Sequence, residues 1–238
     1  MSGMITDNPQ SPSNARTARM MLRAHRYGAL STLSKKFDGH PFGSITPYMA
    51  DHDGSLLILI SGLAEHTKNI LGDSRVSLIT HDQNDPHIQT QGRVTLVGNA
   101  TFDPERERCG KRYLRYFPEA QTYFDMADFN FFRIIPFAIR FIGGFGDINW
   151  VKADNYRLPS YPLIAEEPTL LTELDAEHLN TLAQSLGIAD AKEVALVGVD
   201  CDGFDLRADG RVHRSDFAEV ALNAAQARAA IQAQANKN

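Results

Sequence analysis

A chain of 238 residues suits one large domain, or one of about 150 residues with a smaller companion, and 43% apolar against 22% charged residues excludes a disordered chain. With 24 basic and 29 acidic residues the formal charge is −5, and no long basic run supplies the cationic surface that phosphate-backbone binding needs, which argues against nucleic acid as a partner. The longest apolar run, Leu56 to Ile60, is far short of the ~20 residues that cross a bilayer, so no membrane span is expected.

Residues 1–14, rich in Ser, Pro and Asn, read as a disordered lead-in with neither the basic start nor the apolar stretch of a secretory signal, and a cytoplasmic location is expected. Asn14 is a candidate N-cap for a helix over Ala15 to His25. Tyr27 to Ser34, Phe42 to Met49, Ser55 to Ser61 and Val76 to Thr80 then form an antiparallel meander. Asp38-Gly39 and Asp53-Gly54 supply its hairpin turns, and a short helix over Ala64 to Leu71 interrupts it. His87 to Phe102 alternates with period two, which puts His87, Gln89, Gln91 and Arg93 on a polar face that either lines a cleft or is the wet side of the sheet. A helix from Glu105 to Phe117 follows Pro104, and a last strand over Phe131 to Ile142 runs into Gly143-Gly144-Phe145-Gly146.

Pro159, Pro162 and Pro168 mark residues 153–168 as a linker between a first domain over 15–152 and a second over 169–236. The second domain reads as a small α+β module. It has a helix from Thr169 to Leu186, strands Glu193 to Val199 and Phe204 to Ala208 joined through Asp202-Gly203, and an Ala-rich helix from Phe217 to Ala235. His178 falls on the apolar stripe of the first of these helices, where a hydrogen-bonded core imidazole is expected more often than a ligand.

Ser61 at a strand end, followed by a helix that opens with His66, Thr67, Lys68 and Asn69, places hydroxyls, a cation and first-turn N–H groups where an anion would sit; the other reading is a turn residue and a solvated helix face. Several constellations fail on counting. Asp200, Asp202 and Asp205 lack the glycine and glutamate of a calcium loop, which leaves a hairpin turn. Gly144-Phe145-Gly146 lacks the third glycine of a dinucleotide fingerprint, and there is no GxSxG elbow. His81, Asp82, Asp85 and His87 lack ligand spacing, and Cys109 and Cys201 make no CxxC pair, so no metal is assigned.

Gly28-Ala29-Leu30-Ser31-Thr32, Pro41-Phe42-Gly43-Ser44, Ser61-Gly62-Leu63-Ala64-Glu65-His66-Thr67-Lys68-Asn69-Ile70, Asp73-Ser74-Arg75-Val76 and Gly143-Gly144-Phe145-Gly146 together resemble the FMN-binding split barrel related to pyridoxamine 5′-phosphate oxidase, and within it the haem-utilisation HugZ branch. The tail, with Val197-Gly198-Val199-Asp200-Cys201-Asp202-Gly203-Phe204, resembles a domain of unknown function fused to that branch. The resemblance implies an α+β fold: a six-stranded antiparallel split β-barrel with a small C-terminal α+β domain. It also implies a homodimer with FMN or haem in clefts between subunits. By position, Ser44, Ile45, Thr46, Pro47, Tyr48 and Met49 match the strand that borders the flavin, with Ile60 and Ser61 at the next strand end. His66, Thr67 and Lys68 fall beside the anionic end, the arginine and lysine of the oxidases being Glu65 and His66 here. Gln89 lies in the adjoining polar tract. The functions implied are haem-iron utilisation or a related redox step, an FMN-dependent oxidoreductase, or a non-catalytic partner-binding protein of tetrapyrrole metabolism.

Overall fold

The computed structural model describes residues 14–82, 85–87, 91–144, 147–158, 161, 163–188 and 191–237. The chain divides into two compact units, Met1–Leu158 and Pro159–Asn238.

The first unit opens with α1 (Asn14–Ala24), whose Ala15, Ala18 and Leu22 recur at helical spacing and are buried. Its arginines are also buried and bind backbone carbonyls across the unit: Arg19 Nη1 donates to Tyr156 O at 2.8 Å and Arg23 Nη2 to His52 O at 3.2 Å. β1 (Tyr27–Leu33) and β2 (Pro41–Pro47) form a hairpin whose Asp38 and Gly39 both adopt positive φ, the geometry that an Asp-Gly turn supplies. β3 (Met49–Ala50) and β4 (Leu56–Ser61) follow, then α2 (Glu65–Gly72), β5 (Arg75–His81) and β6 (Arg93–Phe102). α3 (Arg106–Tyr116) and α4 (Gln121–Phe124) precede β7 (Phe129–Gly144), β8 (Asp147–Lys152) and α5 (Ala153–Tyr156).

The strands make one antiparallel sheet in the order β2-β1-β5-β6-β7-β4-β3, with β8 added on β7. This is the expected α+β split barrel, with eight strands among the described residues instead of six. The run expected as one strand from Phe42 to Met49 breaks at Tyr48, whose ring enters the core while its N–H bonds Arg26 O at 2.9 Å. The final strand runs on past Ile142 and is followed by a hairpin partner, β8, that the sequence reading did not separate. The strand expected from His87 begins only at Arg93. Gln91 N–H bonds His87 O at 3.1 Å in a turn and Gln91 is buried, so His87 and Gln91 do not share a sheet face; Gln89 lies outside the described residues. The segment read as linker begins with α5, and Tyr156 belongs to the barrel core, its hydroxyl donating to Gly54 O at 2.9 Å.

Alternation along the strands sends Leu30, Leu78, Leu96 and Ile139 inward with Ile58, Phe132 and Ile134. The outward neighbours form a row across six strands, Ile45–Ala29–Ile79–Thr95–Arg140–Trp150. One irregularity interrupts the β6–β7 ladder. Val97 pairs Ala138 and Gly98 pairs Pro136, which leaves Phe137 as the extra residue of a bulge. Gly98 is required there because a Cβ would lie 2.2 Å from Ile135 O, and Pro136 has no N–H to lose.

In the second unit the stripe expected to be one helix from Thr169 is split into α6 (Glu167–Leu170) and α7 (Ala176–Ser185). Asp175 is the cause: its carboxylate accepts the His178 N–H at 2.9 Å and so starts a new helix. The same carboxylate holds His178 Nδ1 at 2.7 Å, and the ring is exposed, so His178 is a capping partner and not the expected core imidazole. β9 (Val194–Asp200), β10 (Gly203–Ala208) and β11 (Arg211–Asp216) form a meander, and α8 (Ala224–Ala235) starts late because Asn223, not Phe217, caps it. Leu182, Val199, Phe204, Leu206 and Ile231 fill the core between sheet and helices. Beneath the β9–β10 turn, Arg214 is buried against Asp200 at 2.7 Å, Asp205 at 3.1 Å and Asp216 at 3.0 Å.

Candidate functional site

The anion-binding segment read from the sequence lies at the junction of β4 and α2. Period two divides the β2 residues: Ser44 and Thr46 turn toward the interior, while Ile45 and Pro47 face out, Ile45 with 67% of its surface exposed. Tyr48, Met49 and Ile60 are core side chains, and the Tyr48 hydroxyl donates to Leu22 O at 2.9 Å. These three meet a ligand only through their backbone.

Two hydroxyls of the segment are engaged within the chain. Ser61 Oγ donates to Asp128 Oδ2 at 2.6 Å and accepts the Leu63 N–H at 3.0 Å. Thr67 Oγ1 donates to Ser61 O at 2.6 Å and is buried. Asn69 ties the helix down from its inner side, its Nδ2 donating to Thr32 Oγ1 at 3.0 Å and its Oδ1 accepting Lys35 N–H at 2.9 Å. Lys68 is exposed, with its ammonium 4.0 Å from Glu65 one turn earlier.

His66 is different. It is half-buried on the first turn of α2, its Nε2 is buried without a hydrogen-bond partner, and burial alone lowers its pKa from the ordinary 6.5. Burial therefore favours the neutral ring. Ser44 Oγ, on the inner side of β2, is likewise buried without a partner, and α2 packs on both β1 and β2. The first turn of α2 therefore presents backbone N–H groups, an imidazole and a partly neutralised lysine, with the carboxylates of Glu65 and Asp128 close by.

The sequence reading missed Asp128, which reaches Ser61 from 67 residues away. It also missed the buried ion network behind the sheet. Arg133 Nε donates to Asp103 at 2.8 Å and its Nη1 to Asp51 at 2.9 Å, while Arg112 lies 3.5 Å from Asp51 and donates to Ala50 O at 2.9 Å. No local spacing signals these pairs. His81 ends β5, its Nδ1 bonding Asp82 O, and His87 lies in the loop beyond, its N–H accepted by the Asp85 carboxylate.

An antiparallel barrel open along one seam, with a helix inserted after its fourth strand, defines the split-barrel class. Residues 9–157 match the family described as "CREG, beta-barrel", and the chain belongs to that family. It is 28% identical over 200 residues to the non-canonical heme oxygenase HOZ, chloroplastic, of Arabidopsis thaliana. That match takes in 80% of this chain and 61% of the plant protein, so the chain spans about three-fifths of its relative's length. Among solved structures, the protein Atu2129 of Agrobacterium tumefaciens, of unknown function, is 25% identical with a TM-score of 0.78, covering 98% of this chain and 100% of that one. A heme binding protein from Mycobacterium smegmatis is 27% identical with a TM-score of 0.56, covering 95% and 98% respectively. No helix among the described residues is long and apolar enough to cross a membrane.

Proposed function

We propose that this chain binds haem through the first turn of α2 and serves haem-iron utilisation or a related redox step, as a cytoplasmic homodimer. The observation that carries the reading is the state of the β4–α2 junction. A flavin phosphate needs donors free to converge on it, yet Ser61 and Thr67 donate inside the chain, and Glu65 and Asp128 oppose a dianion. A haem carboxylate carries less charge and is met by a single N–H from His66 and the helix N-terminus. The similarity to a heme binding protein along nearly the whole of both chains supports the same choice. FMN is the second reading, favoured by Lys68 and the α2 N–H groups, and would make the protein an FMN-dependent oxidoreductase.

When bound, haem supplies the redox chemistry; the chain's part is to seat and orient it. The candidate seat is formed by Ser44, His66 and Lys68 by side chain, and by Ile45 to Met49, Ile60, Ser61 and Thr67 by backbone. The homodimer is supported by the exposed Ile45, Tyr27 and Ile79, which register places on adjacent strands. Cys109 and Cys201 are buried and not joined in a disulfide, which suits a reducing compartment. The second unit is proposed to be the fused domain that the tail resembles.

The test is a visible titration with haem and, separately, with FMN. Haem is expected to give a shifted Soret band, and His66→Ala to weaken binding about 10- to 150-fold, the worth of one charge-assisted hydrogen bond of roughly 1.5–3 kcal/mol. Affinity is expected to rise as pH falls. Burial lowers the imidazole of the free protein and a bound carboxylate raises it, so the rise accompanies protonation of the complex and is absent in His66→Ala. Tight FMN binding without a haem spectrum would overturn the reading.

A further inference from the structure

The bulge in β7 has a consequence on the outer face of the barrel. It turns Phe137 out, where 73% of its surface is exposed, although neighbouring Pro136 and Ile139 are buried. A cleft of about 480 Å³ opens beside it, within the range of small-molecule sites, between β7, β8 and α5. Its walls include Ile135, Phe137 and Trp150, with Lys152, Asp154 and Arg157 as the charged groups. Trp150 is 44% exposed, and the Arg140 guanidinium lies over its ring at 5.3 Å from the centroid. Arg157 Nε is buried without a hydrogen-bond partner, a donor that the fold itself leaves unsatisfied.

Two exposed aromatic rings brought to one cleft, with Lys152 and Arg157 outnumbering Asp154, select a ligand that is flat, conjugated and anionic. We propose that this cleft binds a planar aromatic carboxylate, its ring system against Phe137 and Trp150 and its carboxylate on Arg157. None of these residues belongs to the β4–α2 junction, so the proposal stands apart from the haem reading.

Pyrenebutyrate and pyrenebutanol, alike in ring and tether but differing in charge, separate the parts of the site when their binding to the full chain is followed by fluorescence anisotropy. The acid is expected to bind at least about tenfold tighter than the alcohol, the worth of one charge-assisted hydrogen bond. Arg157→Gln should remove that difference while leaving the alcohol's affinity unchanged. Phe137→Ser, at an exposed position, should weaken both by about fivefold or more. His66→Ala should change neither. Equal affinity for acid and alcohol, no binding of either, or affinities indifferent to Arg157→Gln and Phe137→Ser would overturn the proposal. A dimer that Phe137→Ser converts to monomer, with neither probe bound, would overturn it too by assigning the cleft to a second copy of the chain.

Discussion

Replacing Arg214 with leucine is expected to destabilise the second unit strongly at neutral pH while the barrel keeps its stability. The guanidinium is buried among Asp200, Asp205 and Asp216, and these carboxylates hold it charged despite its burial. Removing one member of a buried ion cluster leaves charge without its partner and costs about 3–5 kcal/mol, against about 5–15 kcal/mol for the whole stability of a domain. Burial already pushes the Asp216 carboxyl up, against the pull of Arg214. Without Arg214 nothing opposes that upward push, so the Asp216 carboxylate opposes folding at pH 7 and ceases to do so once protonated. The variant should therefore regain stability as pH falls. In urea, far-UV circular dichroism should show an earlier transition for the second unit, while emission from Trp150, the chain's one tryptophan and a barrel residue, keeps its wild-type denaturation midpoint. A single shared transition at an unchanged midpoint would refute both the energetic reading and the independence of the two units.

Arg133→Met is expected to be nearly as damaging to the barrel, by about 3–5 kcal/mol, since it strips Asp51 and Asp103 of a shared partner. Burial alone would raise Asp51, but Arg112 and Arg133 hold it down at about 2. Its folded value lies below the unfolded one, so its contribution is present above about pH 4 and is lost as pH falls through 4 toward 2. That contribution is about 2 kcal/mol in the wild type. Urea denaturation followed by Trp150 emission should show a midpoint that drops between pH 4.5 and 2.5 in the wild type and a shallower drop in Arg133→Met. Parallel profiles would mean that Asp51 draws nothing from Arg133.

The parts of the fold that could be read in the sequence are those whose cause is local. Asp38-Gly39 and Asp209-Gly210 both take positive φ at both residues, a demand that few other pairs meet, so the hairpins were legible from dipeptides. Short apolar runs marked β1 and β5, and alternation marked β6, for the same reason. The β7 bulge was not legible, because Pro136 reads as an ordinary strand irregularity until Gly98 is known to face it 38 residues away. The break between α6 and α7 lay under a continuous apolar stripe, and the capping carboxylate of Asp175 outweighed that stripe. At the candidate site, the position of His66 after the fourth strand was legible from its motif. That Ser61 and Thr67 donate elsewhere was not, since their acceptors are set by tertiary placement of Asp128 and by the path of the turn.

The arginines of α1 bear on the order in which the barrel is made. Arg19 reaches the carbonyl of Tyr156, 137 residues later, and Arg23 that of His52. α1 thus has its final acceptor among the last residues of its unit. Until Tyr156 has emerged, Ala15, Ala18 and Leu22 have only part of their eventual core to pack against, and the loop to be closed is nearly as long as the barrel sequence itself. Within the unit α1 is made well before Tyr156, and completion of the barrel comes only when the far end of the unit returns to it.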